Sequence, residues 1–276
     1  MRSHHLFGSI LAAGIVACST DGGTTAPVIP DPPAPQGPAV FLREIQIPSL
    51  PSPYYHFEYD TQGRISVASF AAGMARYDVH YAGDRITELV DTGLSPDKLE
   101  YLYDTAGRVD SVKYLDGTGA LFEFVTLSYK GNQLVGLQRR RKLGAAFALE
   151  KEMSFSYYAD GNLEQITDHR PAVEDRQPES TSIDRFEQYD TGINVDGFGL
   201  IHNDFFDHLV LLPNVVLQKG NPAKETFTSD FLSYTATYSY TYDDGRRPLS
   251  KNGAATFTSG DDAGKTFQVL SLYSYY

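Results

Sequence analysis

From residue 40 onward, polar and apolar side chains alternate in short runs broken by tight, glycine-containing turns. A period of two sorts side chains onto the opposite faces of a β-strand. Tyr234, Ala236, Tyr238, Tyr240 and Tyr242 fall on one such face, with Thr235, Thr237, Ser239 and Thr241 on the other. The tyrosine face predicts packing against a core. One turn pattern recurs along the chain: aromatic–polar–aromatic, a turn with glycine, then an aliphatic restart. Its long form is Phe57-Glu58-Tyr59-Asp60-Thr61-Gln62-Gly63-Arg64-Ile65, and it returns as Tyr101-Leu102-Tyr103-Asp104-Thr105-Ala106-Gly107-Arg108-Val109. Looser copies start at Tyr157 and Tyr240, and shorter ones at Tyr81 and Tyr129. Aspartate bonds its own backbone to open a turn, and glycine takes the positive φ that other residues resist. Each copy therefore predicts a β-hairpin.

The early turns recur about every twenty to thirty residues, with another strand boundary between them near Ala72-Gly73 and Asp116-Gly117. That cadence predicts an all-β domain over 40–276, an antiparallel meander curling into a closed or nearly closed β-barrel. Two stretches break the pattern. The polar residues at about 170–200, with Pro171 and Pro178, predict an irregular insertion. Residues 203–212 read as one short helix that plugs or covers an end of the sheet, with Asn203 as N-cap and Pro213 as the stop.

The N-terminus changes the picture from fold to address. Arg2 precedes a twelve-residue apolar stretch, Leu6 to Ala17. This is too short for a bilayer span of ~20 residues but suits a signal peptide. It ends in Ile15-Val16-Ala17-Cys18, aliphatic, small, small, cysteine, the pattern of a bacterial lipobox, and Cys18 is the sole cysteine of the chain. Residues 1–17 are accordingly expected to be a lipoprotein signal peptide and Cys18 the lipidated first residue of the mature protein. Acylation, palmitate included, would hold it at the membrane at about 0.8 kcal/mol per buried CH2. Ser19 after the cysteine favours the outer membrane, with the domain facing the cell surface or the periplasm. Residues 18–39, rich in Pro, Gly and Thr, form a tether that reaches up to ~60 Å at ~3 Å per residue in its extended proline-rich part.

Aromatic residues at 13% and hydrophobic residues at 41% supply a substantial core. The net charge of −12 argues against a nucleic-acid partner, which needs concentrated Lys and Arg. The one basic run, Arg139-Arg140-Arg141-Lys142, reads as a solvated strand end.

No nucleophile elbow, zinc motif, phosphate loop or calcium loop occurs. His202 and His208 are six apart, a spacing that does not share a helical face, so capping is the better account of them. The Asp243-Asp244 and Asp261-Asp262 turns lack a full oxygen ligand set. The Gly197-Phe198-Gly199 pair carries almost no weight. No catalytic residue, metal site or cofactor is predicted.

The Tyr-Asp-x-x-Gly-Arg turns resemble the YD repeats of RHS-type surface proteins. Together with the lipobox, the tether, the stretch from Leu211-Leu212-Pro213 through Leu217-Gln218 to Asn221-Pro222 and the late Tyr-x-Tyr-x-Tyr-Asp-Asp-Gly turn, the chain more closely resembles a family of lipoproteins from Bacteroidetes-like bacteria. That family carries a domain of unknown function of porin-like fold. The resemblance covers about 40–276 and implies a closed or nearly closed barrel, but no activity. The expected function is a membrane-anchored envelope lipoprotein acting as a non-enzymatic binding or structural module, with a glycan, peptide or envelope protein as ligand. The alternatives are a docking component of an outer-membrane complex, a hydrolase assembled from distant residues, and an inserted pore. A pore needs an uncharged outer belt, against which Arg64, Ser66, Asp84 and Lys113 argue.

Overall fold

A computed structural model describes residues 40–173, 177–202 and 208–276. Residues 1–39, and with them the signal peptide, Cys18 and the tether, lie outside the described residues.

Sixteen antiparallel strands close into one barrel, each paired with its neighbours in sequence. They are β1 (Leu42–Gln46), β2 (Tyr55–Tyr59), β3 (Ile65–Phe70), β4 (Ala75–Ala82), β5 (Arg85–Asp91), β6 (Lys98–Tyr103), β7 (Val109–Leu115) and β8 (Leu121–Lys130). The second half holds β9 (Gln133–Leu143), β10 (Ala146–Tyr157), β11 (Leu163–Arg170), β12 (Ser180–Tyr189), β13 (Pro222–Ser229), β14 (Ser233–Tyr242), β15 (Pro248–Ser259) and β16 (Thr266–Tyr275). Pairing of β1 with β16, through Leu42–Tyr275 and Ile45–Tyr273, closes the ring. The meander predicted from turn spacing is therefore the observed topology.

The repeats build the upper rim, where β2 turns into β3, β4 into β5, and so on around the barrel. In each long turn the aspartate accepts from the backbone two and four residues on. Asp60 Oδ1 takes the N–H of Gln62 at 2.8 Å and of Arg64 at 3.0 Å, and Asp104 Oδ1 does the same for Ala106 and Arg108 at 2.9 Å. Gly63 and Gly107 supply the positive φ, +76° and +82°. The arginine that follows reaches to the next turn. Arg64 lies 4.3 Å from the centre of the Tyr81 ring and donates to Gly83 O, and Arg108 stands likewise over Tyr129 and donates to Gly131 O.

The tyrosine of each repeat has a matching task. Tyr59, Tyr81, Tyr103, Tyr129, Tyr157, Tyr189, Tyr240 and Tyr275 each donate their hydroxyl to a carbonyl at the start of the preceding strand, at 2.7–3.0 Å. The acceptors are Leu42, Ile65, Ile86, Val109, Leu134, Leu163, Pro222 and Pro248. At this rim the two strands so joined belong to different hairpins, so the tyrosines staple neighbouring hairpins into a ring. A tyrosine suits the position because its body is apolar and its tip is polar. In five of the hairpins a register shift falls at the tyrosine itself, as between His80 and Tyr81. Such a bulge re-aims the side chain. Replacing Tyr81 by Phe leaves the Ile65 carbonyl unpaired and is expected to cost about 1 kcal/mol in a urea titration.

Burial pushes the ring tyrosines up, those at 59, 81 and 129 to about 12 from the ordinary 10.0. A folded value above the unfolded one favours the neutral phenol, so this stability is fully present below pH 10 and is lost as pH rises through about 12. Alkaline titration should accordingly show tyrosinate absorbance appearing together with the loss of β-sheet circular dichroism. Independent ionisation near pH 10 with the fold intact would contradict the stapled ring.

The inner face of the wall is largely apolar, with buried charged positions such as Glu123, Lys151, Asp168, Asp184 and Glu225 among the apolar ones. Phe57, Tyr77, Leu89, Leu99, Val112, Val125, Met153, Ile166, Phe186 and Tyr234 are all buried. The face of β14 that carries Tyr234, Ala236 and Tyr238 points into this core as the alternation predicted.

Between β12 and β13, residues 190–202 enter the lumen and residues 208–221 lead back out of it. Inward, Asp196 Oδ2 accepts from Tyr273 at 2.7 Å, Phe198 packs on Tyr55 and Phe57, and His202 Nδ1 meets the Tyr55 hydroxyl at 2.8 Å. On the return, His208 Nδ1 meets the Tyr77 hydroxyl at 2.8 Å, Leu211 N–H donates to Tyr101 at 3.0 Å, and Leu217 O receives Leu163 N–H at 3.0 Å. These partners sit on β2, β4, β6, β11 and β16, so the segment touches several sides of the wall. A void of about 20 Å³ beside it, lined in part by Tyr114, Arg139, Lys151 and His208, has room for about one water.

Two expectations are corrected here. The irregular insertion expected at about 170–200 is interrupted by the regular strand β12 at 180–189, and the longer irregular stretch starts at 190 and is described over 190–202 and 208–221. The short helix expected at 203–212 is not formed in its described part. Residues 208–212 form no regular element, 203–207 lie outside the described residues, and the described helical turn is a 3-10 turn at Gly197–Ile201. An amphipathic helix buries one stripe, whereas Leu209, Val210 and Leu211 are consecutive and all buried.

The outer face carries charge, at mid-strand on Glu88, Glu100 and Lys113 and nearer the strand ends on their partners. Lys98 on β6 bridges Glu88 at 2.9 Å and Glu100 at 3.1 Å, Arg76 on β4 meets Glu58 on β2 at 3.4 Å, and Lys224 on β13 pairs with Glu187 on β12. Of the four positions weighed against a pore, Lys113 lies on this outer face between Glu100 and Phe124 in register. Arg64 and Asp84 belong to upper-rim turns, and Ser66 falls at a register shift.

Candidate binding groove at the barrel seam

Where β1 joins β16 and β2, the wall forms a groove of about 700 Å³. Its position follows from closure. Phe41 precedes β1, Tyr276 follows β16, and the β2–β3 turn at 60–64 overhangs both. Phe41 meets Tyr59 edge-on at 5.1 Å between centroids, and Tyr59 meets Tyr276 at 5.9 Å. A Cβ on Gly63 would lie 2.9 Å from the Phe41 ring, so the glycine lets the turn close over that side chain. The polar side is a ladder on the outer wall. His56 lies 3.5 Å from Glu44 and 3.6 Å from Glu58, and the Arg43 guanidinium stands 5.8 Å from the centre of the Tyr276 ring. Backbone and side-chain hydrogen bonds from Arg64 hold the Asp60 carboxyl below the usual carboxylate range. Arg43 has a half-exposed side chain and Tyr276 is 64% exposed, so both are open to a ligand.

A second ionisable cluster lies inside the barrel. Glu225 accepts from Tyr234 at 2.5 Å and from Tyr238 at 2.8 Å, and Lys251 Nζ sits 4.3 Å from the centre of the Tyr238 ring. Asp184, in register with Ile166 and Phe227, has an oxygen with no hydrogen-bond partner. Burial, and then the charge of Glu225, pushes its carboxyl well above the usual range. Tyr234 and Tyr238 are likewise raised, by burial and then by Glu225. Asp184 and Glu225 are 1% and 5% exposed. A substrate has no contact with groups so covered, and the cluster acts as part of the core.

The residues singled out in the sequence are scattered through this frame. His202 and His208 bind tyrosines on different strands of the wall. Gly197, Phe198 and Gly199 form the 3-10 turn, with Gly199 packed near the Tyr55 hydroxyl. Asp243 closes its own turn and pairs with Arg247, and Asp262 pairs with Lys265. The basic run is not merely a solvated strand end. Arg141 turns to Glu123 at 2.6 Å and to Glu150 at 3.3 Å, and Arg139 comes within 3.9 Å of Glu150. Alternation inside the run was the signal, since positions 139 and 141 share the face of buried Leu137. The groove had no such signal, because its walls come from opposite ends of the domain.

No family model and no curated protein matches the sequence. The fold, however, is similar to solved structures. A porin-like protein from Bacteroides uniformis ATCC 8492 superposes with a TM-score of 0.55 at 14% identity, over 80% of this chain and 89% of that one. A porin-like protein from Bacteroides vulgatus ATCC 8482 gives 0.57 at 13% identity, over 86% and 99%. The chain has a porin-like fold. At this identity the likeness concerns architecture alone, and here the barrel carries charge on its outer wall and an apolar segment in its lumen.

Proposed function

We propose that this protein is a lipid-anchored envelope module whose barrel stands outside the bilayer and serves in binding or structure rather than in transport or catalysis. The observation that carries this reading is the mid-strand charge on the outer wall. Glu88 and Glu100, opposite each other in the middle of β5 and β6 and bridged by Lys98 from the start of β6, stand where an inserted barrel presents apolar side chains to lipid. A charge at the bilayer midplane costs about 2–4 kcal/mol on such a face. Membrane attachment then falls to Cys18, with residues 18–39 as the spacer. Residues 190–202 and 208–221, packed against the inner wall, support the same reading, since a pore needs an open lumen.

Metabolic labelling with a palmitate analogue tests the anchor. The wild-type chain should carry the label and fractionate with the outer membrane, and Cys18→Ala should carry none. Label retained by Cys18→Ala, or absent from the wild type, would refute it.

A further inference from the structure

We infer that the seam groove binds a neutral oligosaccharide, an inference that rests on the barrel being a binding module. A pyranose offers an apolar C–H face and a rim of hydroxyls. It is held where aromatic ring surface and planar, two-pronged polar groups converge. The groove brings both together. Tyr59 and Tyr276 already donate their hydroxyls, to Leu42 O and Phe57 O, so what they present is ring surface. Phe41, seated on Gly63, extends that surface. Arg43, His56 and Glu58 face the same space and supply donors and acceptors for vicinal hydroxyls.

The charges there are balanced, which selects against a charged ligand. Arg43 stands 3.7 Å from Glu44, Glu58 3.4 Å from Arg76, and Asp60 2.6 Å from Arg64. The volume of about 700 Å³ falls within the range of small-molecule clefts, roughly 300–1,000 Å³. The groove is also on the flank of the barrel and not in its lumen.

The full-length protein in mild detergent would be titrated calorimetrically with maltotriose, mannotriose, triacetylchitotriose and trigalacturonate. At least one neutral trisaccharide should bind, and Arg43→Ala and Tyr276→Ala should each weaken it about tenfold. Thr237→Ala, on the outer face of β14 and outside the groove, should leave it unchanged. Thermal melts of each variant verify folding, and Arg43→Ala alone carries the test if Tyr276→Ala is unstable. Failure of all three neutral sugars, stronger binding of trigalacturonate, or indifference to Arg43→Ala would overturn the inference. Cys18→Ala should bind sugar as the wild type does, so loss of the anchor and loss of the sugar site are read separately.

Discussion

Shortening Leu209 to alanine should destabilise the protein by about 3 kcal/mol, the usual cost of a cavity in a packed core. Leu209 has no exposed surface, and it lies on the return limb of the lumen segment between His208, bonded to Tyr77, and Leu211, bonded to Tyr101. Both flanking contacts hold the backbone in place, so the wall has little freedom to collapse onto the missing atoms. The measurement is a urea titration against the wild type, with Thr237→Ala on the outer face as a control expected within about 0.5 kcal/mol. Equal midpoints for Leu209→Ala and the control would mean that the segment is a loose passenger and not part of the core.

Asp184→Asn should have the opposite sign. At neutral pH the wild type must either bury a charge at Asp184 or hold a proton that the unfolded chain releases. Removing that requirement should stabilise the variant by about 1–3 kcal/mol. The sign with pH follows from the raised carboxyl. Below the ordinary aspartate value of about 3.9 both states of the wild type are protonated, and the penalty vanishes. As pH rises through 3.9 the unfolded chain loses its proton first, so the wild type falls progressively behind the variant. Paired melts at pH 3 and pH 7, about one unit below and three above that value, should show the gap open with pH. A variant less stable than the wild type at pH 7 would show that the Asp184 charge has a compensating partner.

Much of the barrel was legible because its rim is built from local chemistry. An aspartate that caps its own turn, a glycine at positive φ and a tyrosine one step before them lie within a few residues, so Phe57 to Ile65 announces a hairpin by itself. Two tyrosines of the ring, Tyr189 and Tyr275, were missed because the turns beyond them are replaced by the lumen segment and by the barrel seam. The strand β12 was missed because Asp184 occupies an inward position. A charge there breaks the alternation that Phe186 would otherwise complete. The run Leu209-Val210-Leu211 was read as helical because periodicity does not separate a short buried helix from an irregular segment packed on all sides. The groove depends on Phe41, Tyr59 and Tyr276 meeting at closure, which no local pattern encodes.

A tethered barrel folds without lipid, and an inserted one does not. Cys18→Ala, expressed at full length and fractionated without detergent, measures this directly. The predicted result is a soluble protein with intact β-sheet circular dichroism and a cooperative thermal transition. Retention in the membrane pellet, with folding recovered only in detergent, would place the wall in the bilayer and contradict it.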